Sequence, residues 1–93
     1  MSITNVTLNP YGGYVVYLSN GLQVSVATND FNYIRKNEFQ VLTHVELSCF
    51  KTDTNINLSS SVWPSYCQND DVIGFLPIDK IDTLVQLAND WKE

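Results

Sequence analysis

His44 is the only histidine in this 93-residue chain, so any Ser-His-Asp or Cys-His mechanism must run through it. Cys49 follows five positions later on what reads as the same strand, and an odd spacing sends the two side chains to opposite faces. That pair cannot meet. Cys67 meets His44 only if the tertiary fold happens to join them; otherwise His44 is an exposed or half-exposed strand residue. Zinc wants close ligand pairs such as Cys-x-x-Cys, and Cys49 and Cys67 supply none. Asn69-Asp70-Asp71 offers oxygen ligands, but a calcium loop needs more of them at alternating positions and a glycine for its turn. Solvated loop carboxylates are the simpler reading. Asp79 and Asp82 have the look of a paired-carboxylate acid–base site, yet capping of a helix accounts for both. Gly12-Gly13 follows Pro10-Tyr11 in a turn and opens no helix, so it is not a phosphate loop. The residues therefore point to no enzyme, no metal and no cofactor.

What remains is binding. Trp63, Pro64 and Tyr66 stand in an aperiodic stretch beside Asp70 and Asp71, and large aromatics among charges match the make-up of protein–protein hot spots. The competing reading makes Trp63 a plug at the end of a sheet, with most of its ring buried. Tyr11, Tyr14 and Tyr33 carry the same ambiguity. The expected partner-facing set is Trp63, Tyr66, Asp70, Asp71, Asp79 and Asp82.

Charge supports a protein partner over a nucleic acid. Net charge is −5, and residues 70–93 hold six acids against two lysines. Arg35-Lys36 is the only basic neighbour pair, too little for a phosphate-binding surface. An acidic surface suits a partner with a basic one. Apolar residues make up 44% of the chain, ordinary for a folded soluble domain, and no apolar run nears the roughly 20 residues of a membrane-spanning helix. The N-terminus, Met-Ser-Ile-Thr-Asn-Val-Thr, lacks the basic and apolar regions of a secretory signal, so the expectation is a complete, cytoplasmic chain with both cysteines reduced. A Cys49–Cys67 disulfide is the alternative. In size, acidity and lack of catalytic residues the chain resembles small inhibitors of phages and mobile elements and toxin-immunity proteins, a likeness of type with no motif behind it.

The elements that must position these residues centre on Tyr14–Ala27. Asn20-Gly21 is the strongest two-residue hairpin signal, and a type I′ turn there pairs Tyr17 with Val24 and Val15 with Val26. Val15, Tyr17, Leu22, Val24 and Val26 then form an apolar face, with Tyr14, Val16 and Leu18 on the reverse. Residues 2–8 read as a first strand, although Ile3, Val6 and Leu8 do not alternate cleanly. Thr28-Asn29-Asp30 offers caps for a turn or two of helix ending near Asn37, or an irregular loop. Phe39–Lys51 reads as a long strand with Val45, Leu47 and Cys49 on one face and His44 on the other. Residues 56–62 read as a polar edge strand, 63–71 as a loop, and 72–76 as a covered strand. After Pro77, the spacing of Ile81, Leu84, Val85, Ala88 and Trp91 predicts a helix with Asp79 as its N-cap.

The expected architecture is a single α+β domain over residues 1–93. An antiparallel sheet of four to six strands packs one C-terminal helix on its apolar face, with a strongly bent or barrel-like sheet as the variant. The function to expect is a non-enzymatic inhibitor or immunity-type protein occupying a basic site on a larger protein. The alternative is a structural or assembly subunit that forms a homo-oligomer.

Overall fold

Turn chemistry at residues 19–21 sets the register of the central hairpin in the computed structural model, which describes residues 1–10, 12–67 and 70–92. Strands β2 (Gly13–Leu18) and β3 (Leu22–Ala27) pair Val16 with Val24 and Tyr14 with Val26. The connection therefore has three residues and no type I′ turn. Gly21 takes the left-handed conformation at φ 87° and donates its N–H to the Leu18 carbonyl at 3.2 Å. Asn20 stays at negative φ because its side chain has other partners. Its Oδ1 accepts the Leu22 N–H at 3.1 Å, and its Nδ2 donates to the carbonyls of Ala88 at 2.8 Å and Asn89 at 3.2 Å. Both carbonyls lie at the end of the last helix, where Ala88 also accepts the Trp91 N–H at 3.3 Å, and bonding them fastens the hairpin tip to it. The one-residue change reverses the expected faces of β2. Val16 and Leu18 are buried, whereas Val15 and Tyr17 lie on the outer face.

Strand β1 (Ile3–Leu8) pairs antiparallel with β2, and β5 (Leu42–Lys51) pairs with β3. A two-residue strand, β4 (Arg35–Lys36), and β6 (Ile73–Pro77) both pair with β5. The order β1-β2-β3-β5-β4, with β6 also on β5, makes a six-stranded sheet that does not close into a barrel. Val45, Leu47 and Cys49 of β5 are buried, as their alternation predicts. The strand starts at Leu42 and not at Phe39, because residues 37–41 make the β4–β5 turn. There the Asn37 Oδ1 accepts the N–H groups of Phe39 and Val41, and Gln40 sits at φ 64°.

One face of the sheet is covered. Helix α3 (Ile81–Asp90) buries Leu84, Val85 and Ala88, with Ile81 and Trp91 partly buried beside them. Together with the inward strand residues they form one hydrophobic cluster. The polar stretch expected as an edge strand is instead a bridge at Asn57 followed by short helix α1 (Ser59–Val62). Small polar side chains supply the cause. The Asn57 Oδ1 accepts the Ser59 N–H at 2.9 Å, and the buried Ser59 Oγ accepts the Cys49 N–H at 2.8 Å, so side chains replace strand pairing. The expected loop at 63–71 contains α2 (Pro64–Cys67), with its later residues Gln68 and Asn69 outside the described residues. Tyr11 also lies outside them. Asp79 is not an N-cap. It sits in a 3-10 turn, Ile78–Lys80, that precedes α3, and Lys80 holds the cap position with no side-chain cap bond.

Candidate functional site

The outer face of the sheet carries the most distinctive side-chain arrangement, and it is assembled by the segment where a helix was an option. Asn29 stops that segment after one turn. Its Oδ1 accepts the Phe31 N–H at 2.9 Å, and its carbonyl accepts the Asn32 N–H at 2.9 Å. Glu46, on the opposite face of β5 from Val45 and Leu47, then captures the chain. Its carboxylate accepts the Tyr33 N–H at 2.9 Å and the Asn32 Nδ2 at 3.5 Å. From the other side, Phe75 of β6 donates its N–H to the Tyr33 carbonyl at 2.9 Å.

The result is a stack. The Tyr33 and Phe75 rings lie 5.8 Å apart at 49°, and the Arg35 guanidinium sits 5.3 Å from the Phe75 ring centre. Phe75 adopts φ 52°, a conformation that bulky residues rarely take. The irregularity in the β5–β6 register between Val45 and Leu47 accommodates it. Gly74 beside it lets Tyr33 approach closely, since a β-carbon there would lie 3.0 Å from the Tyr33 Cβ and require it to shift. Phe75 remains 46% exposed and Tyr33 59%, while Phe31 nearby in the chain is 98% exposed. The strained backbone at Phe75 thus coincides with a ring left partly in water.

The residues expected to face a partner divide into three places. Trp63 is a core residue at 1% exposure, and its Nε1 donates to the Leu84 carbonyl at 2.9 Å. Burial thus resolves its ambiguity, and the ring offers no surface. Tyr66 is exposed on α2, with Asp70 and Asp71 exposed after it; the Asp70 N–H donates to the Cys67 carbonyl. Asp79 and Asp82 are exposed at the far end of β6, whose five residues span about 16 Å at the usual rise. Asp82 sits close enough to Tyr14 to help raise the phenol, whose shift comes first from burial. The structure brings Tyr66, Asp70 and Asp71 together and leaves Asp79 and Asp82 apart.

The nucleophile candidates are poor ones. Burial pushes the Cys49 thiol up to about 12, with a smaller push from Cys67. Burial also raises Cys67, helped by Asp70 and Asp71. Both cysteines are buried and free, and the His44 Nδ1 lies 2.9 Å from the Thr43 Oγ1 in a hydrogen bond. Among the described residues no group of three His, Cys, Asp or Glu side chains could hold a metal ion. A hollow of about 340 Å³ at the hairpin tip is lined by Asn20, Leu22, Lys51, Trp91 and Lys92. It opens at the C-terminal end of α3, whose dipole repels the anions its lysines would attract.

From sequence alone Tyr33 reads as ambiguous and Phe75 as part of a covered strand. The missed signal is Gly74 next to Phe75: a glycine in a strand marks a bulge or close approach of another segment. Compared with known proteins, the chain matches no family model, no curated protein and no solved structure.

Proposed function

We propose that this is a non-enzymatic protein that binds a larger protein with a basic surface, as inhibitors and immunity proteins do. The observation that carries the reading is the Tyr33–Arg35–Phe75 stack, left partly in water, with a strained backbone at Phe75. Tyr, Phe and Arg are enriched at interface centres, and a ring already fixed by its neighbours loses little entropy when a partner covers it. Phe31, two residues before Tyr33 and 98% exposed, offers a further aromatic ring to a partner. The net charge of −5 supplies long-range attraction to a basic partner, with Asp70, Asp71, Asp79 and Asp82 as exposed contributors. Two raised, buried thiols support a role without nucleophilic chemistry and a cytoplasmic setting. Among the described residues no helix is long and apolar enough to cross a membrane.

A second reading, an assembly subunit built from copies of this chain, is favoured by a different observation: none of the first 29 residues has a charged side chain.

Capture from the native host tests the first reading. Three baits are compared: the wild type, Tyr33→Ala with Phe75→Gly, and Asp70→Asn with Asp71→Asn. The expected result is one basic protein held by the wild type, loaded more slowly by the aspartate variant, and lost by the aromatic variant. Retention by the aromatic variant with loss by the aspartate variant moves the contact to the Tyr66 loop.

A further inference from the structure

We infer that the open edge of β1 is a self-association site, at which a second copy of this chain pairs antiparallel to form a two-fold dimer with one continuous sheet. The proposal is independent of any partner at the aromatic stack.

The first support is the backbone. β1 ends the sheet, with β2 on one side only. The Asn9 N–H points toward β2, donating to the Gly13 carbonyl at 3.0 Å, so by alternation Val6 and Leu8 turn their amides outward. The Val6 N–H donates to the neighbouring Asn5 Oδ1 at 2.9 Å, a local bond that pairing with a second copy would replace.

The second is the side chains. Ile3, Val6 and Leu8 oppose Leu18, Val16 and Tyr14, which places all three on the face covered by α3. Their uneven spacing in the sequence is absorbed by an irregularity between Ile3 and Asn5. Yet they lie beyond the helical layer: Ile3 is 47% exposed, Val6 55% and Leu8 87%. An edge strand usually defends itself with a charge or a proline. Ile3–Leu8 has neither.

Charge decides the occupant. Every Asp, Glu, Lys and Arg of the chain follows residue 29, so β1, β2 and β3 carry no charged side chain of their own, Asp82 of α3 being an acid that acts on Tyr14 of β2. A basic partner gains nothing there. A second copy brings another −5, and the strands without charged side chains are where two such chains meet with the least repulsion. A two-fold axis perpendicular to the sheet is the operator that makes identical edge strands antiparallel, and it keeps both helical layers on one face. The register that joins outward amides sets Val6 against Leu8 of the second copy, and Thr7 against its own equivalent. Apolar side chains from both copies then cover each other.

Sedimentation of the purified chain from about 1 μM to about 1 mM tests this, a range in which weak strand pairing titrates. The wild type is expected to move from monomer to dimer, and to keep doing so in 1 M salt, where Debye screening acts within about 3 Å. Val6→Lys and Leu8→Lys each set a charge against an apolar residue of the second copy and bring two like charges diagonally across the pairing, and should weaken it about tenfold or more. Both positions are exposed, so circular dichroism of either variant should match the wild type. Amide exchange at Val6 and Leu8 should slow as protein concentration rises. A monomer throughout the range, a dimer lost in salt, or a dimer unchanged by both lysine variants overturns the proposal.

Discussion

Replacing Phe75 by glycine and by alanine separates the strain of its backbone from the worth of its ring. Both changes remove the ring, which is a little over half buried and packed against Tyr33 and Arg35. Full burial of such a side chain is worth about 1.5–3 kcal/mol, so the buried half contributes roughly 1 kcal/mol. The aromatic pair adds about another 0.5–1.5 kcal/mol. Phe75→Ala keeps a β-carbon at φ 52° and so loses the ring without relief, about 2 kcal/mol in all. Phe75→Gly is relieved of roughly 1 kcal/mol of left-handed strain and should cost only about 1 kcal/mol. The glycine variant should therefore melt about 4–8 °C above the alanine variant. In an ordinary strand interior the order is the reverse, because glycine weakens a strand by about 0.5–1 kcal/mol relative to alanine. Urea titrations of the two variants side by side read the difference directly. An alanine variant as stable as the glycine variant, or more so, refutes the account of a strained residue at this position.

Asn20→Ala should cost about 1–2 kcal/mol in a urea melt, since the Ala88 and Asn89 carbonyls lose their shared donor. Asn20→Asp should cost more than alanine, because it aims a negative charge at the negative end of α3; equal stability of the two contradicts the hairpin-tip tether. Trp63→Phe keeps an aromatic ring but deletes the Nε1 donor to Leu84 and leaves a small void, so about 2 kcal/mol of stability should go. A Trp63→Phe protein that melts like the wild type would contradict its place in the core. Stability should fall with rising pH above about 8.5, where unfolded thiols ionise while the folded Cys49 stays protonated up to about 12. A folded pKa above the unfolded one leaves this contribution intact below that window and removes it across the window, at about 1.4 kcal/mol per pH unit for Cys49, and the raised Cys67 adds a loss of the same sign. Cys49→Ala should flatten that decline in pH-dependent melts; an unchanged slope contradicts the assignment.

Periodicity revealed the elements whose burial is one-sided and long. The stripe of α3 and the alternation of β5 both emerged with the expected residues inward, because apolar spacing over ten residues leaves one solution. The central hairpin was legible as a hairpin but misaligned by one residue. Asn20-Gly21 has the composition of a two-residue turn, whereas its asparagine side chain is claimed by carbonyls 68 and 69 positions away. No local rule contains that contact. The same holds for Ser59, whose hydroxyl meets the Cys49 backbone and turns an apparent strand into a helix. Of the candidate site, Tyr66, Asp70 and Asp71 were recognisable as an exposed cluster, but Trp63 was not separable from them, since an indole reads alike in a core and at an interface. The Tyr33–Arg35–Phe75 stack escaped because its members come from two distant segments joined through Glu46 and the Phe75 amide. The irregular spacing of Ile3, Val6 and Leu8 weakened β1 as a strand in sequence; the register irregularity that aligns them is visible only against β2.

Site-specific photocrosslinking in the native host tests the binding account most directly, with the reactive group placed in turn at Phe31, Tyr66 and Val6. All three positions are well exposed and lie on the outer-face loop, on α2 and on the β1 edge respectively. The account predicts a discrete adduct with a basic protein from Phe31, none from Tyr66, and an adduct with a second copy of the chain from Val6. A partner adduct from Tyr66 with none from Phe31 would contradict the central claim that the Tyr33–Arg35–Phe75 face makes the contact.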